Sequence, residues 1–268
     1  MRILGIRAYT QTRIKVAVSS PQHQRESSGN TLAHRSMHGA TCIHSNAYEA
    51  MEPDVKTLAL ISQKGGVSKT TLATALAVAA EADGRRTALF DLDPQASAAF
   101  WKDTRQAEAP AVVALPSARL AHMLRAASEA GTDLAIIDTP PFAKDIAFEA
   151  AQHADYILVP TRPAVLDVMA MTKTLELVRH YGKPAAVVLT FCPPHGKEVA
   201  DTIDAVEQLG AQLAPVRMHT RVAYSRAQQT GLVAQEFEPD GKAAHEIQQL
   251  WKFVCMHLYA SEKTEVAA

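Results

Sequence analysis

Short apolar runs bounded by polar residues recur along the chain from residue 57 onward. Residues 57–62, 87–91 and 134–137 are each too short for a helix and apolar enough to be buried on both faces, as in central strands of a parallel sheet. Similar runs predict strands at 111–115, 155–160, 185–190 and 213–217. Between them lie helical patterns: an Ala/Leu-rich stretch over 70–82, then 117–130, 145–153, 165–181, 199–209 and 242–259. In the last, Ile247, Leu250, Trp251, Val254 and Leu258 follow helical spacing and predict a helix packed on the core. Regular alternation of strand and helix predicts an α/β fold, with a mainly parallel twisted sheet and helices on both faces.

The first fifty residues break the pattern. They are rich in Ser, His, Gln and Arg and show no sustained periodicity. Six of the chain's 27 Lys/Arg and two of its 28 Asp/Glu fall there, so the remainder carries 21 against 26, a formal net charge of −5. Residues 1–50 read as a disordered extension, as a start codon placed too early (Met51 begins immediately before the patterned region), or as a segment imitating a transit peptide. Residues 51–268 form the expected domain, and 47% hydrophobic residues suffice to fill its core. No run approaches transmembrane length. Cys42, Cys192 and Cys255 are widely spaced and odd in number, which predicts free thiols in a reducing cytoplasm.

The loop after the first strand carries the chemistry. Lys64-Gly65-Gly66-Val67-Ser68-Lys69-Thr70-Thr71 joins a strand to a helix N-terminus. Backbone N–H groups in such a loop form a concave nest for phosphate, and the helix end adds about half a positive charge. Lys69 supplies an ammonium to the terminal phosphates and the Thr70 hydroxyl can ligate Mg²⁺. The fold class is therefore an α/β P-loop NTPase. Lys64 is a second lysine, at the mouth of the loop, beyond what nucleotide binding requires.

Two strand ends carry carboxylates. Asp91 and Asp93 close the run 87–91 in the segment Asp91-Leu92-Asp93-Pro94-Gln95, and Asp138 closes 134–137 ahead of Thr139-Pro140-Pro141. Open α/β sheets bind ligands at the carboxyl ends of their strands. Asp138 suits water-mediated Mg²⁺ binding, and 139–144 suits a loop that senses the γ-phosphate. An Asp-Pro turn is the simpler account of Asp93 taken alone. ATP is expected over GTP, because the guanine-reading Asn-Lys-x-Asp pattern is absent.

From about Val55 to Tyr259 the chain resembles the ParA/MinD ATPases, whose deviant Walker A loop reads Lys-Gly-Gly-x-Gly-Lys-Thr-Thr. Ser68 stands where that pattern has glycine. Asp91 to Gln95 is similar to the family's Asp-x-Asp-Pro-Gln element. Val159-Pro160-Thr161-Arg162-Pro163 and Arg221-Val222-Ala223-Tyr224-Ser225-Arg226-Ala227 resemble a compact branch that includes plasmid partition ATPases and the VirC1 type. The resemblance implies that residues 64–71 and Pro160 contact ATP, and that Thr70, Asp93 and Asp138 form the Mg²⁺ site. It further implies that Asp93 positions the attacking water, with Asp91 supporting the loop and the metal's water shell, and that Lys64 crosses to the nucleotide of a second subunit in an ATP-dependent homodimer. The branch often ends a strand Asn-x-x-Pro-Pro-Arg; here Thr190-Phe191-Cys192-Pro193-Pro194-His195 lacks both the adenine-contacting Asn and the basic residue.

The resemblance also implies an output. A partition ATPase binds nucleoid DNA non-specifically as its ATP dimer, and a ParB-like, centromere-binding partner stimulates its hydrolysis. Relatives carry DNA-binding residues where this chain has Arg217, Arg221 and Arg226, with Lys242 and Lys252 beyond. Cytoplasmic, nucleoid-associated plasmid or chromosome partition is the leading expectation. A ParA-like protein that positions a protein complex or conjugative DNA would share the same motifs, and a P-loop ligase is a third class. No membrane partner is expected, because the tail over 261–268 is short and not basic, unlike the C-terminal amphipathic helix of MinD.

Overall fold

The computed structural model describes residues 55–259. Seven parallel strands form one sheet: β1 (Lys56–Leu60), β2 (Thr87–Asp91), β3 (Ala111–Ala114), β4 (Leu134–Asp138), β5 (Tyr156–Thr161), β6 (Ala185–Cys192) and β7 (Gln212–His219). Their order is β3-β2-β4-β1-β5-β6-β7. Connections run one way from β1 to β2 and β3, then the other way from β4 onward. That reversal leaves a crevice at the carboxyl ends beside β1.

Side chains alternate with period two, so each central strand feeds two cores. Leu58, Leu60, Leu134, Ile136, Tyr156 and Leu158 face one side, where α1 (Lys69–Ala82), α2 (Ser97–Thr104) and α9 (Lys242–Leu258) pack. Ala59, Ile61, Ala135, Ile137, Ile157 and Val159 face the other, covered by α3 (Leu120–Glu129), α4 (Lys144–His153), α5 (Val165–His180) and α6 (Glu198–Gln208). Ile247, Leu250, Trp251, Val254 and Leu258 are buried as their spacing predicts. Each such side chain contributes about 1.5–3 kcal/mol through removal from water.

Predicted strands and long helices recur with shifts of one or two residues, except that 117–130 divides into a 3-10 turn (Ser117–Arg119) and α3. Three helices were not anticipated: α2, α7 (Val222–Gln229) and α8 (Ala234–Phe237). Each is short. The N-terminus of α2 is held by the Asp91 carboxylate, six residues before its first residue, which accepts from Ala98 N–H (2.9 Å) and Ala99 N–H (3.3 Å). The extension over 1–50, Met51 and the tail over 261–268 lie outside the described residues.

Candidate active site

β1 delivers the chain into the loop over 61–68, and α1 leaves from it. Gly66 (φ 70°) and Ser68 (φ 69°) both adopt left-handed backbone, the geometry from which anion nests are built. Ser68 O accepts the first helical bond of α1, from Leu72 N–H at 2.9 Å. The preceding N–H groups, Lys69 to Thr71, have no intrahelical acceptor and suit phosphate oxygens. Lys69 is buried, and its Nζ donates to Ser62 O (3.2 Å) and Lys64 O (3.0 Å). Burial lowers its pKa, opposed by the charges of Asp138 and Asp93. No hydrogen bond or ion pair among the described residues engages the Lys64 ammonium; the Lys64 backbone N–H donates to Ser62 Oγ (3.3 Å).

Asp138 ends β4 directly across from Leu60 of β1 and Asp91 of β2. It is fully buried. Its Oδ2 accepts from Thr70 Oγ1 at 2.6 Å, while Oδ1 has no partner. Burial pushes its carboxyl up to about 7, against the Thr70 hydrogen bond and the Lys69 charge. A buried carboxylate oxygen without a partner, beside a hydroxyl and a second acid, fits a hard divalent cation. Mg²⁺ takes few carboxylates and fills its shell with water and phosphate, which the Thr70 hydroxyl and Asp138 carboxylate would complement.

Asp91 and Asp93 divide the remaining work. Asp91 is buried and organises the loop, accepting from Asp93 N–H at 3.0 Å as well as from the start of α2. Burial raises its pKa, and those backbone donors oppose the rise. Asp93 is half-buried, and its carboxylate accepts, among the described residues, only from Gln95 N–H (2.9 Å), so it retains acceptor capacity. It lines a cavity of about 330 Å³ with Gly65, Gly66, Lys69, Thr70 and Pro141.

A second cavity, about 360 Å³, adjoins the first through Ser68, Thr71 and Phe191, which line both. Its remaining walls include Val222, Tyr224, Ser225 and Gln228. Sequence reading missed Phe191, an exposed aromatic with φ 51° at the end of β6. Only four non-glycine described residues have positive φ: Ser68, Ala96, Phe142 and Phe191. Ser68 and Phe191 line both cavities, while Ala96 and Phe142 lie in the loops after β2 and β4; such backbone costs about 1–3 kcal/mol per residue. Pro160 is not brought to the cradle. It is buried inside β5, paired with Val188 of β6, and lines neither cavity.

The three candidate DNA-contacting arginines separate. Arg217 on edge strand β7 and Arg226 on α7 are exposed, as are Lys242 and Lys252 on α9. Arg221 instead donates to Glu246 through Nε (2.9 Å) and Nη2 (2.6 Å). The same buried carboxylate binds His219 Nδ1 (2.9 Å) and accepts from the Tyr224 hydroxyl (2.8 Å). Its charge is neutralised within the fold, so Arg221 belongs to an internal network and not to an open basic surface.

A nest at a helix N-terminus, a lysine aimed at it and carboxylates on adjoining strand ends define a P-loop nucleotide-binding protein. Residues 58–234 match the CobQ/CobB/MinD/ParA nucleotide binding domain, and the chain belongs to that family of ATPases. It is 32% identical over 212 residues to the maintenance of carboxysome distribution protein A of Gloeobacter kilaueensis, covering 74% of this chain and 96% of the relative. The VirC1 protein of Rhizobium rhizogenes is 28% identical over 193 residues, covering 67% and 83%. Among solved structures, the ATP complex of a Cyanothece McdA variant shares the fold with a TM-score of 0.63 at 19% identity, over 77% of this chain and 97% of that one.

Proposed function

We propose that this chain is a Mg²⁺-dependent ATPase that dimerises on ATP, binds DNA non-specifically and positions a large cargo along it. The observation that carries the reading is the Lys64 ammonium, unpaired among the described residues at the mouth of a loop whose own phosphate lysine is Lys69. A second cation there favours assembly only when a facing subunit brings phosphate. The exposed apolar side chains support a second copy. Among the described residues, Phe191 lies at the end of β6, and Phe100, Phe142, Val165, Leu166, Met169 and Val222 lie in segments that follow the carboxyl ends of strands.

In this reading the nest and Lys69 bind the phosphates, and the base enters the 360 Å³ cavity against Phe191. Thr70, Asp138 and Asp93 would hold Mg²⁺, whose charge offsets that of the phosphates. Asp93 orients the attacking water and accepts its proton, and Asp91 keeps that loop in place. Arg217 and Arg226, with Lys242 and Lys252, would meet DNA phosphates.

The relatives' names shift the cargo. Similarity to carboxysome distribution proteins favours positioning of a protein assembly. Similarity to VirC1 and ParA proteins favours the second reading, partition of DNA with a ParB-like activator. Among the described residues no helix is long and apolar enough to cross a membrane. Light scattering with ATP, ADP and no nucleotide tests the switch: wild type should dimerise with ATP, and Lys64→Ala should bind nucleotide but stay monomeric. An ATP dimer undiminished in Lys64→Ala would refute it. Salt-sensitive DNA binding by the ATP form, lost on reversing Arg217 and Arg226 together, tests the output.

A further inference from the structure

The helix that follows Asp93 is fastened at both ends. At its start, Asp91 accepts from Ala98 and Ala99 N–H, fixing α2 to the loop that carries Asp93. At its far end Arg105 reaches the α7–α8 segment. Its guanidinium forks onto Glu236 (Nη1 to Oε2 2.8 Å, Nη2 to Oε1 2.7 Å), and Nη1 also donates to Gly231 O at 3.1 Å. The Arg105 side chain is 5% exposed. One turn earlier Trp101 Nε1 donates to Leu232 O at 3.0 Å, and Arg105 lies over the Trp101 ring at 5.0 Å.

Backbone meets backbone here as well. Gly231 has φ 69°, and a Cβ on it would stand 2.5 Å from Arg105 N and 2.6 Å from Arg105 Cα. Glu236 is pinned in turn, its Oε2 accepting from Val233 N–H at 3.0 Å. Two turns of helix, capped by Asp91 at one end and clamped by a bidentate ion pair at the other, move as one piece.

We propose that α2 is a strut coupling the turn after α7 and the start of α8 to Asp93, with Arg105 as its positioning residue. Displacing that turn through α7, which bears Arg226 and walls the second cavity, moves Asp93 relative to the phosphates. A ligand of α7 thereby gains control of hydrolysis without touching the nucleotide. The inference rests on the reading of Asp93 as the water-orienting carboxylate.

The test is steady-state ATP hydrolysis by the full chain, with thermal melts, for wild type, Asp93→Ala, Arg105→Lys and the double variant Arg105→Met with Glu236→Leu. Replacing both partners by apolar residues leaves no unpaired buried charge but frees Ala109 O, Gly231 O and Val233 N–H, so the double variant should stay folded and lose less stability than either single replacement. Misplacing a catalytic group by about 1 Å costs up to about a hundredfold, so its kcat should fall by about ten- to a hundredfold. Its KM for ATP should stay within about twofold, the signature of an interaction made in the transition state. Arg105→Lys keeps the charge but loses the fork and should fall between. A double variant with wild-type kcat, or with kcat and KM degraded alongside its melting temperature, overturns the strut. Hydrolysis unchanged in Asp93→Ala overturns instead the role of Asp93 on which it rests.

Discussion

Ser68→Gly should stabilise the nucleotide-free protein. Ser68 occupies left-handed backbone at φ 69°, ψ 26° as the N-cap of α1, and its side chain makes no capping hydrogen bond. An L-residue in that conformation costs about 1–2 kcal/mol. Glycine removes the strain but forfeits about 0.5–1 kcal/mol through the entropy of the unfolded chain. The net gain is about 0.5–1 kcal/mol. A domain of this size converts 1 kcal/mol into about 2–4 °C, so the melting temperature should rise by about 1–4 °C. Calorimetry without nucleotide measures it, and Ser68→Ala is the control, since alanine keeps the strain and loses only an unbonded hydroxyl. ADP titration supplies a second readout: a loop held in shape at lower cost should bind at least as tightly. A Ser68→Gly protein that melts at or below wild type would show that something other than backbone conformation holds this residue.

Two further outcomes follow from buried groups. Glu246→Ala leaves Arg221, whose side chain is 27% exposed, without its partner; urea denaturation should show a loss of about 3 kcal/mol, and a loss below about 1 kcal/mol would reduce the network to decoration. Burial pushes the Cys192 thiol up to about 11, so its thiolate grows in only as pH climbs toward that value. Alkylation of Cys192 at pH 8 should therefore run about a hundredfold slower in the folded protein than in urea, and equal rates followed by mass spectrometry would contradict its burial.

The residues gathered at the candidate phosphate and metal site were legible because contiguous motifs carry them. Residues 64–71, Asp91, Asp93 and Asp138 each sit at a strand end that an apolar run announces, and register brings Leu60, Asp91 and Asp138 level. The second cavity was not legible, because it gathers its walls from α1, β6, β7 and α7. Nothing in the letters marks Phe142 or Phe191 as left-handed, since neither is Gly, Asn or Asp. Helix α2 escaped notice because its N-terminal donors are met by Asp91, upstream of the helix, and not by an N-cap of its own. Arg221 read as an open basic residue until α9 brought Glu246 to it across 25 positions.

The order of the strands has a consequence for synthesis. β1 is made first, yet its neighbours are β4 and β5, with Lys56 beside Leu134 and Leu58 beside Tyr156. Its apolar edges must wait for segments that leave the ribosome much later, and such long-range pairing slows folding and exposes strands to wrong partners. The phosphate loop is among the first functional residues translated, but the crevice around it closes only when β6 has brought Phe191 and β7 has brought His219. On the proposed reading, a nucleotide seated in both cavities would need β6 and β7 in place as well as the loop after β1.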